Sequence, residues 1–254
     1  MSQPHQPAAP RPAAAVVLAR PHPAGSFEVY MVRRHIKSEF VPDAFVFPGG
    51  SVSADDIAAE TAAALCDGAP DGPTALGAGF RAAAIRECFE EAGVLLATRN
   101  GHPLAQADDD RARVAAERAA LNRRETTLAE VAAREGLTLA TRELLHWAHW
   151  ITPPPFPKRF DTHFFLAPMP DGQQAAHDQL ETSAGAWIRP ADALARFKAG
   201  DFPIVFATIH QLHLLVEVPD LAAVAERFTG IPPTIQPRIV QRDGRDVILL
   251  PDEP

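Results

Sequence analysis

The chain has 254 residues, 46% of them hydrophobic and 22% charged, which suits one large globular domain or a domain carrying insertions. Its formal net charge of −8 argues against wholesale binding of nucleic acid or an anionic membrane, so any phosphate recognition has to be local. Two cysteines, Cys66 and Cys88, fit a reducing compartment, and no uninterrupted run approaches the roughly 20 apolar residues of a membrane helix.

Met1 to Pro12 is rich in Pro, Gln and Ala and lacks a positive segment followed by an apolar one. It reads as a disordered tail rather than a signal peptide, with residues 13–254 as a single domain and a cytoplasmic location expected. Ala13–Ala19 and Phe27–Arg34 are predicted strands, with Pro21-His22-Pro23-Ala24-Gly25 turning between them. Arg33, Arg34 and Lys37 then place three cations around His35, either as a solvated strand end or as phosphate contacts. Phe45-Val46-Phe47 is a short apolar strand stopped by Pro48, Gly49 and Gly50, and the paired glycines permit a sharp turn and close backbone approach to a ligand.

Ser51–Gly79 has an acidic start (Asp55, Asp56), an Ala-rich run from Ala58 to Leu65, and Gly- and Pro-rich punctuation beyond Gly68. A short helix and a loop are predicted there, either capping a substrate or bulging into solvent. The next segment, Phe80 to Ala92, lacks Gly and Pro and is followed by Gly93, which predicts a helix. On that helix Glu87, Glu90 and Glu91 stand at i, i+3 and i+4, within an arc of about 100°, and Ala82, Ile85 and Phe89 cluster opposite. Like charges one turn apart cost about 0.2–0.5 kcal/mol per pair, and acidic residues near a helix C-terminus oppose its dipole. A divalent cation would offset that repulsion, and hard oxygen ligands suit Mg²⁺ or Mn²⁺ bound together with substrate phosphates. Taken alone, R-E-x-x-E-E is equally the pattern of a solvated acidic face steadied by Arg86.

Further on, Val94–Ala97 is predicted as a strand, and Asp108–Arg124 and Thr127–Glu135 as two helices forming an addition over about 105–140, with Thr126 or Thr127 as cap. Leu144–Ile151 alternates as a half-buried strand, in which His146 and His149 are not metal ligands by spacing alone. A rigid Pro-rich connector, Thr152–Pro157, leads into a strong strand over Lys158–Leu166, where Arg159 is a candidate for phosphate or for an ion pair with Asp161 or another carboxylate. Glu181–Ile188 is a strand and Ala191–Lys198 a helix; helices over Phe206–Val216 and Asp220–Phe228 and a hairpin around Arg242-Asp243-Gly244-Arg245 complete the chain.

Gly50 together with Arg86, Glu87, Cys88, Glu90, Glu91, Gly93 and Val94 matches the two ends of G-x5-E-x7-R-E-U-x-E-E-x-G-U, where U is apolar. This is the signature of the Nudix hydrolases, which the chain resembles over about Ala13 to Lys198. The match is interrupted, because Gly50 and Arg86 are thirty-six positions apart rather than fourteen, with twenty-two residues inserted at about 57–78. Six positions after Gly50 stands Asp56 rather than Glu, and eight before Arg86 stands Ala78. Asp56 is therefore the candidate partner of Arg86, while Glu60 is the only Glu of the insertion. The enlarged box and the Phe47-Pro48-Gly49-Gly50 run are similar to a subgroup that includes a peroxisomal coenzyme A diphosphatase.

The resemblance implies a Nudix-type α/β/α sandwich, an α/β fold with a mixed sheet and helical insertions. It also implies metal-dependent hydrolysis of the diphosphate in a nucleoside diphosphate linked to another moiety. Coenzyme A or acyl-coenzyme A is the substrate the subgroup suggests, with NADH, ADP-ribose or another nucleotide as alternatives. A non-catalytic nucleotide-binding regulator is the alternative from another class. Carried over, Glu87, Glu90 and Glu91 are ligands of Mg²⁺ (or Mn²⁺), Arg86 orients a carboxylate, and one of the glutamates or Glu181 is the base. Gly49, Gly50, Arg33, Arg34, Lys37 and Arg159 are the implied substrate contacts. The expected partner is a small nucleotide-diphosphate molecule, with neither nucleic acid nor membrane, and with a homodimer as the open assembly.

Overall fold

The computed structural model describes residues 7–38, 41–62, 64–68, 76–104, 108–154 and 156–253. Four strands come first: β1 (Arg11–Pro21), β2 (Phe27–Arg34), β3 (Phe45–Val46) and β4 (Gly49–Ser51). Helix α1 (Ala54–Thr61) precedes α2 (Phe80–Glu87), which runs on into a π-helical turn over Cys88–Ala92. Then come β5 (Ala97–Arg99), β6 (His102–Pro103), α3 (Asp108–Asn122), α4 (Leu128–Glu135) and β7 (Thr138–Leu139). The main sheet resumes with β8 (Leu145–Ile151), β9 (Phe160–Pro168) and β10 (Thr182–Ile188), followed by α5 (Pro190–Ala199), α6 (Phe206–Val216) and α7 (Leu221–Arg227). Three short strands end the chain: β11 (Thr234–Ile235), β12 (Arg238–Arg242) and β13 (Arg245–Leu249).

β1 sits inside a mixed sheet of order β10-β2-β1-β9-β8-β11, antiparallel to β2 and parallel to β9, with β3 added to β2 and β4 to β1. A strand covered on both faces should be apolar throughout, and Ala13 to Ala19 is buried without a gap. Val16 and Leu18 pack with Ile85, Phe89 and Phe165 under α2, whereas Val17 and Ala19 pack with Met31, Phe164, Leu212 and Val224 under α5, α6 and α7. The two helical layers around one sheet form the expected α/β/α sandwich. Among the described residues no helix is long and apolar enough to cross a membrane.

Several boundaries differ from expectation, each for a local reason. β1 begins at Arg11, inside the stretch read as a tail, because Arg11 and Pro12 register with Phe160 and Asp161 of β9. Val94–Leu96 is not strand; the backbone N–H and C=O of Leu95 both bond to the buried Gln173 side chain, at 2.9 Å each, and β5 starts only at Ala97. The short helix expected within Ser51–Gly79 is α1, and it starts at Ala54, ahead of the Ala-rich run, since Ser53 and Asp56 build a capping box there, as Thr127 and Glu130 do for α4. β8 is buried on both faces rather than half-buried, lying between β9 and β11 with a register shift between His146 and Ala148.

Candidate functional site

Arg86, in the last turn of α2, ties the site together. Its Nε and Nη2 donate to Asp56 Oδ1 and Oδ2 at 2.8 and 3.0 Å, a bidentate pair with a carboxylate that is only 1% exposed. Nη1 donates to Glu87 Oε1 at 2.8 Å and to Glu90 Oε2 at 2.6 Å, and Nη2 also reaches the Ser51 carbonyl at 2.9 Å. Burial alone would weaken the hold of Arg86 on its proton, but Glu87, Asp56 and Glu90 outweigh it and hold its pKa above the usual value. Asp56, immediately before the inserted residues, thus supplies the carboxylate that fixes this arginine. Helix α1, which carries Asp56 and Glu60, packs against α2.

A second carboxylate of the insertion supports the same helix. The N-cap of α2 is Gly79, which has no side chain to satisfy the first amides. Glu60 Oε2 accepts from the N–H groups of Arg81 and Ala82 at 2.9 and 3.0 Å instead. Glu60→Ala is expected to cost about 0.5–2 kcal/mol of stability, and Glu60→Gln much less because it keeps an acceptor. An unchanged melting temperature in Glu60→Ala would remove this capping role. The C-terminal end is held from the helical addition, where Arg118 on α3 donates to the Glu90 carbonyl at 2.9 Å and to the Ala176 carbonyl at 2.8 Å. That cation opposes the unfavourable dipole which the acidic last turn would otherwise face.

The three glutamates are not equivalent. Glu87 and Glu91 are buried and Glu90 is half-buried. Burial, with the neighbouring Glu90 charge adding to it and Arg86 opposing it, pushes Glu87 up to about 7. Glu91 is raised well above the usual carboxylate range by burial and by Glu87, although it accepts from the Gly49 N–H at 2.9 Å. Gly49 is required by close approach, since a Cβ there would lie 2.6 Å from the Ala14 carbonyl oxygen, whereas a Cβ on Gly50 would meet the Glu87 carboxylate and push it aside. The π-helical turn over Cys88–Ala92 carries Glu90 and Glu91, and Gly93 closes it at φ 69° with its N–H on the Phe89 carbonyl.

These groups line a cavity of about 1280 Å³. Glu87, Glu90, Glu91, Glu181, Gly49, Gly50 and Arg34 face it, and so do the apolar side chains of Trp150, Phe156, Phe160, Phe164, Ile204, Phe206 and Ile248. α4 contributes through Thr127 and Glu130, so the helical addition is part of the wall. Glu181 is exposed, with its N–H fixed by Asp178 at 3.0 Å and its carbonyl accepting from His35, and its charge helps to raise all three glutamates. The Arg34 Nε is buried with no hydrogen-bond partner among the described residues, and its charge counters the rise at Glu91.

Three of the predicted contacts lie elsewhere. The Arg33 guanidinium pairs with Asp43 at 2.9 Å, Lys37 is exposed, and neither lines the cavity. Arg159 is not among the residues lining the cavity; its guanidinium donates to the carbonyls of Thr152 and Ala8 at 2.9 and 2.7 Å. It straps the N-terminal segment to the connector before β9, a role that uses two guanidinium donors on backbone oxygens and leaves no signature in spacing. Sequence reasoning missed Arg118, Glu60 and Gln173 as supports, since each acts on backbone groups far away along the chain.

Comparison with known proteins bears on the family and the fold. The family model described as the NUDT19 Nudix domain matches residues 71–215, more than half of the chain. The acyl-coenzyme A diphosphatase NUDT19 of Gallus gallus is 32% identical over 74% of this chain and 63% of its own length. The human protein of that name is 26% identical over 83% of this chain and 67% of its own length. This chain therefore spans slightly less than two thirds of the chicken protein. Among solved structures, a NUDIX hydrolase from Alicyclobacillus acidocaldarius superposes with a TM-score of 0.68 at 28% identity, covering 89% of this chain and 99% of that one. With a family match over more than half its length and the fold shared, the chain belongs to the Nudix hydrolase family, in its NUDT19-type branch.

Proposed function

We propose that this protein is a divalent-cation-dependent diphosphatase acting on coenzyme A esters. One observation carries the reading: a single cavity of about 1280 Å³, above the usual 300–1,000 Å³ of small-molecule sites, joins the acidic cluster to a long aromatic and aliphatic wall. A nucleotide diphosphate with an extended apolar arm matches both halves. The chicken and human relatives are named for acyl-coenzyme A, which supports the same substrate class.

The donor chemistry fits Mg²⁺ or Mn²⁺, since the acidic side chains lining this end of the cavity offer hard carboxylate oxygens and Mg²⁺ is usually held by one or two carboxylates plus substrate phosphates. Arg86 occupies one oxygen of Glu87 and one of Glu90, and Gly49 occupies one of Glu91, so these three are steered by fixed donors. When bound, the cation neutralises diphosphate charge and lowers the pKa of attacking water. Arg34 would hold a phosphate oxygen, and Glu181 or one of the cluster glutamates would take the proton of water as it adds to phosphorus. Cleavage of the P–O–P link then gives 3′,5′-ADP and a 4′-phosphopantetheine product.

Turnover of coenzyme A, acyl-coenzyme A, NADH, ADP-ribose, sugar nucleotides and diadenosine polyphosphates with Mg²⁺ tests this, with products identified. Acyl-coenzyme A is expected to give the highest kcat/KM. Faster ADP-ribose or NADH cleavage would reject the substrate and keep the diphosphatase, while tight nucleotide binding without any cleavage would favour a regulator.

The acidic cluster also sets a pH dependence. Glu87 has a folded pKa of about 7 against an ordinary 4.5, so its contribution to metal-free stability is present below about 4.5 and lost as pH rises through about 7. A cation replaces the proton. The gain in Tm from Mg²⁺ or Mn²⁺ is therefore expected to be small near pH ~5 and largest near pH ~8. An equal gain at both would place the cation elsewhere.

A further inference from the structure

Across the sheet from the cavity, β8 and β9 bring three metal-competent side chains together. His149 and His163 are direct register partners, and Asp161 precedes His163 by two residues, so all three project from one face. The alternate residues Thr162 and Phe164 line the cavity on the other face. On this side Phe80, the first residue of α2, packs edge-on against His163 with ring centroids 4.4 Å apart.

The two imidazoles point the same way. His149 Nε2 lies 2.5 Å and His163 Nε2 3.8 Å from Asp161 Oδ1, and the rings stack with centroids 3.9 Å apart. Each ring is oriented through its other nitrogen: His149 Nδ1 by Thr234 Oγ1 at 2.8 Å, and His163 Nδ1 by His146 Nε2 at 2.9 Å. Such outer partners on the second nitrogen are what metal-binding histidines usually have. Among the described residues this is the one group of three or more His, Cys, Asp or Glu whose ligand atoms all lie within 4.8 Å of one another. The side chains are 15%, 33% and 10% exposed for His149, Asp161 and His163, which leaves a route from solvent.

We propose that His149, Asp161 and His163 form a second cation site, for Zn²⁺, distinct from the glutamate cluster. The two-nitrogen, one-carboxylate set is softer than all-oxygen sites and suits Zn²⁺ over Mg²⁺. Two nitrogens on one Zn²⁺ at about 2.1 Å each sit no more than about 4.2 Å apart, so the two imidazoles, now stacked with centroids 3.9 Å apart, would turn out of the stack to converge on the ion. A bound ion would clamp β8 to β9 and, through Thr234, hold β11, which pairs with β8 at His149 and Trp150. β11 leads directly to Pro237, and the hairpin beyond it to Ile248, both of which line the cavity.

The test is Zn²⁺ titration of the full chain with excess Mg²⁺ filling the carboxylates, with bound metal counted by elemental analysis and Co²⁺ substituted as a visible-spectrum reporter. One tightly held equivalent is expected in the parent and in the Glu87→Gln/Glu90→Gln/Glu91→Gln variant. Asp161→Asn and His149→Gln, two near-isosteric changes checked for folding by circular dichroism, should lose it. Thr234→Val, which touches only the outer partner, should weaken it about 10–100-fold. No Zn²⁺ retained by the parent, or undiminished affinity in both Asp161→Asn and His149→Gln, would overturn the site and leave the cluster a hydrogen-bonded brace.

Discussion

Glu91→Gln is expected to lower kcat by on the order of 10²-fold or more, with the metal-free protein folded and no less stable than the parent. The amide oxygen can still accept from the Gly49 N–H, so the local geometry has a donor to hold it. What disappears is a buried negative charge that burial and Glu87 already disfavour. Catalysis and metal-free stability should therefore move in opposite directions, which a merely structural glutamate would not produce. Glu90→Gln should lower kcat similarly, but it also loses charge opposite Arg86 at 2.6 Å and should not gain stability. Steady-state kinetics alongside melts in a chelator measure both. Activity within a few fold of the parent for Glu91→Gln would remove it from the reaction.

Asp56→Ala should be the most damaging single change to the fold of the site. It strands Arg86 beside a vacated, fully buried position and removes the acceptor that completes the α1 capping box. Breaking one side of a buried pair typically costs about 3–5 kcal/mol, and a capping loss adds to that. For a chain of this size each kcal/mol corresponds to roughly 2–4 °C, so a fall in Tm on the order of 10 °C is expected. Glu87 and Glu90 would then share a less constrained arginine, and kcat should drop too. A Tm within about 2 °C of the parent would show that Ser51, Glu87 and Glu90 suffice to hold Arg86.

The parts legible in the sequence were those governed by local pattern. The unbroken apolar run of β1, the Gly93 stop and the Thr127 cap each rest on neighbouring residues, and the structure has them. The juxtaposition of Arg86 with Asp56 was readable because both sit at fixed steps from a recognisable motif. Three features were not. The last turn of the helix that carries the three glutamates is wound as π rather than α, a difference of one residue in ring size that periodicity over five residues does not resolve. Gln173 and Arg118 reach carbonyls 78 and 28 positions away, and such backbone contacts carry no compositional mark. The His149–His163 pairing needed the register of β8 on β9, including the irregularity after His146 that brings His149 and His163 opposite each other.

The placement of Asp56 and Glu60 bears on how this chain can be trimmed or recombined. Deleting the extra residues between Gly50 and Arg86 to recover the shorter spacing would seem a harmless loop excision. It would remove the acceptor for the first amides of α2 and move the anchor of Arg86. A graft across this boundary must therefore carry α1 with α2 as one unit.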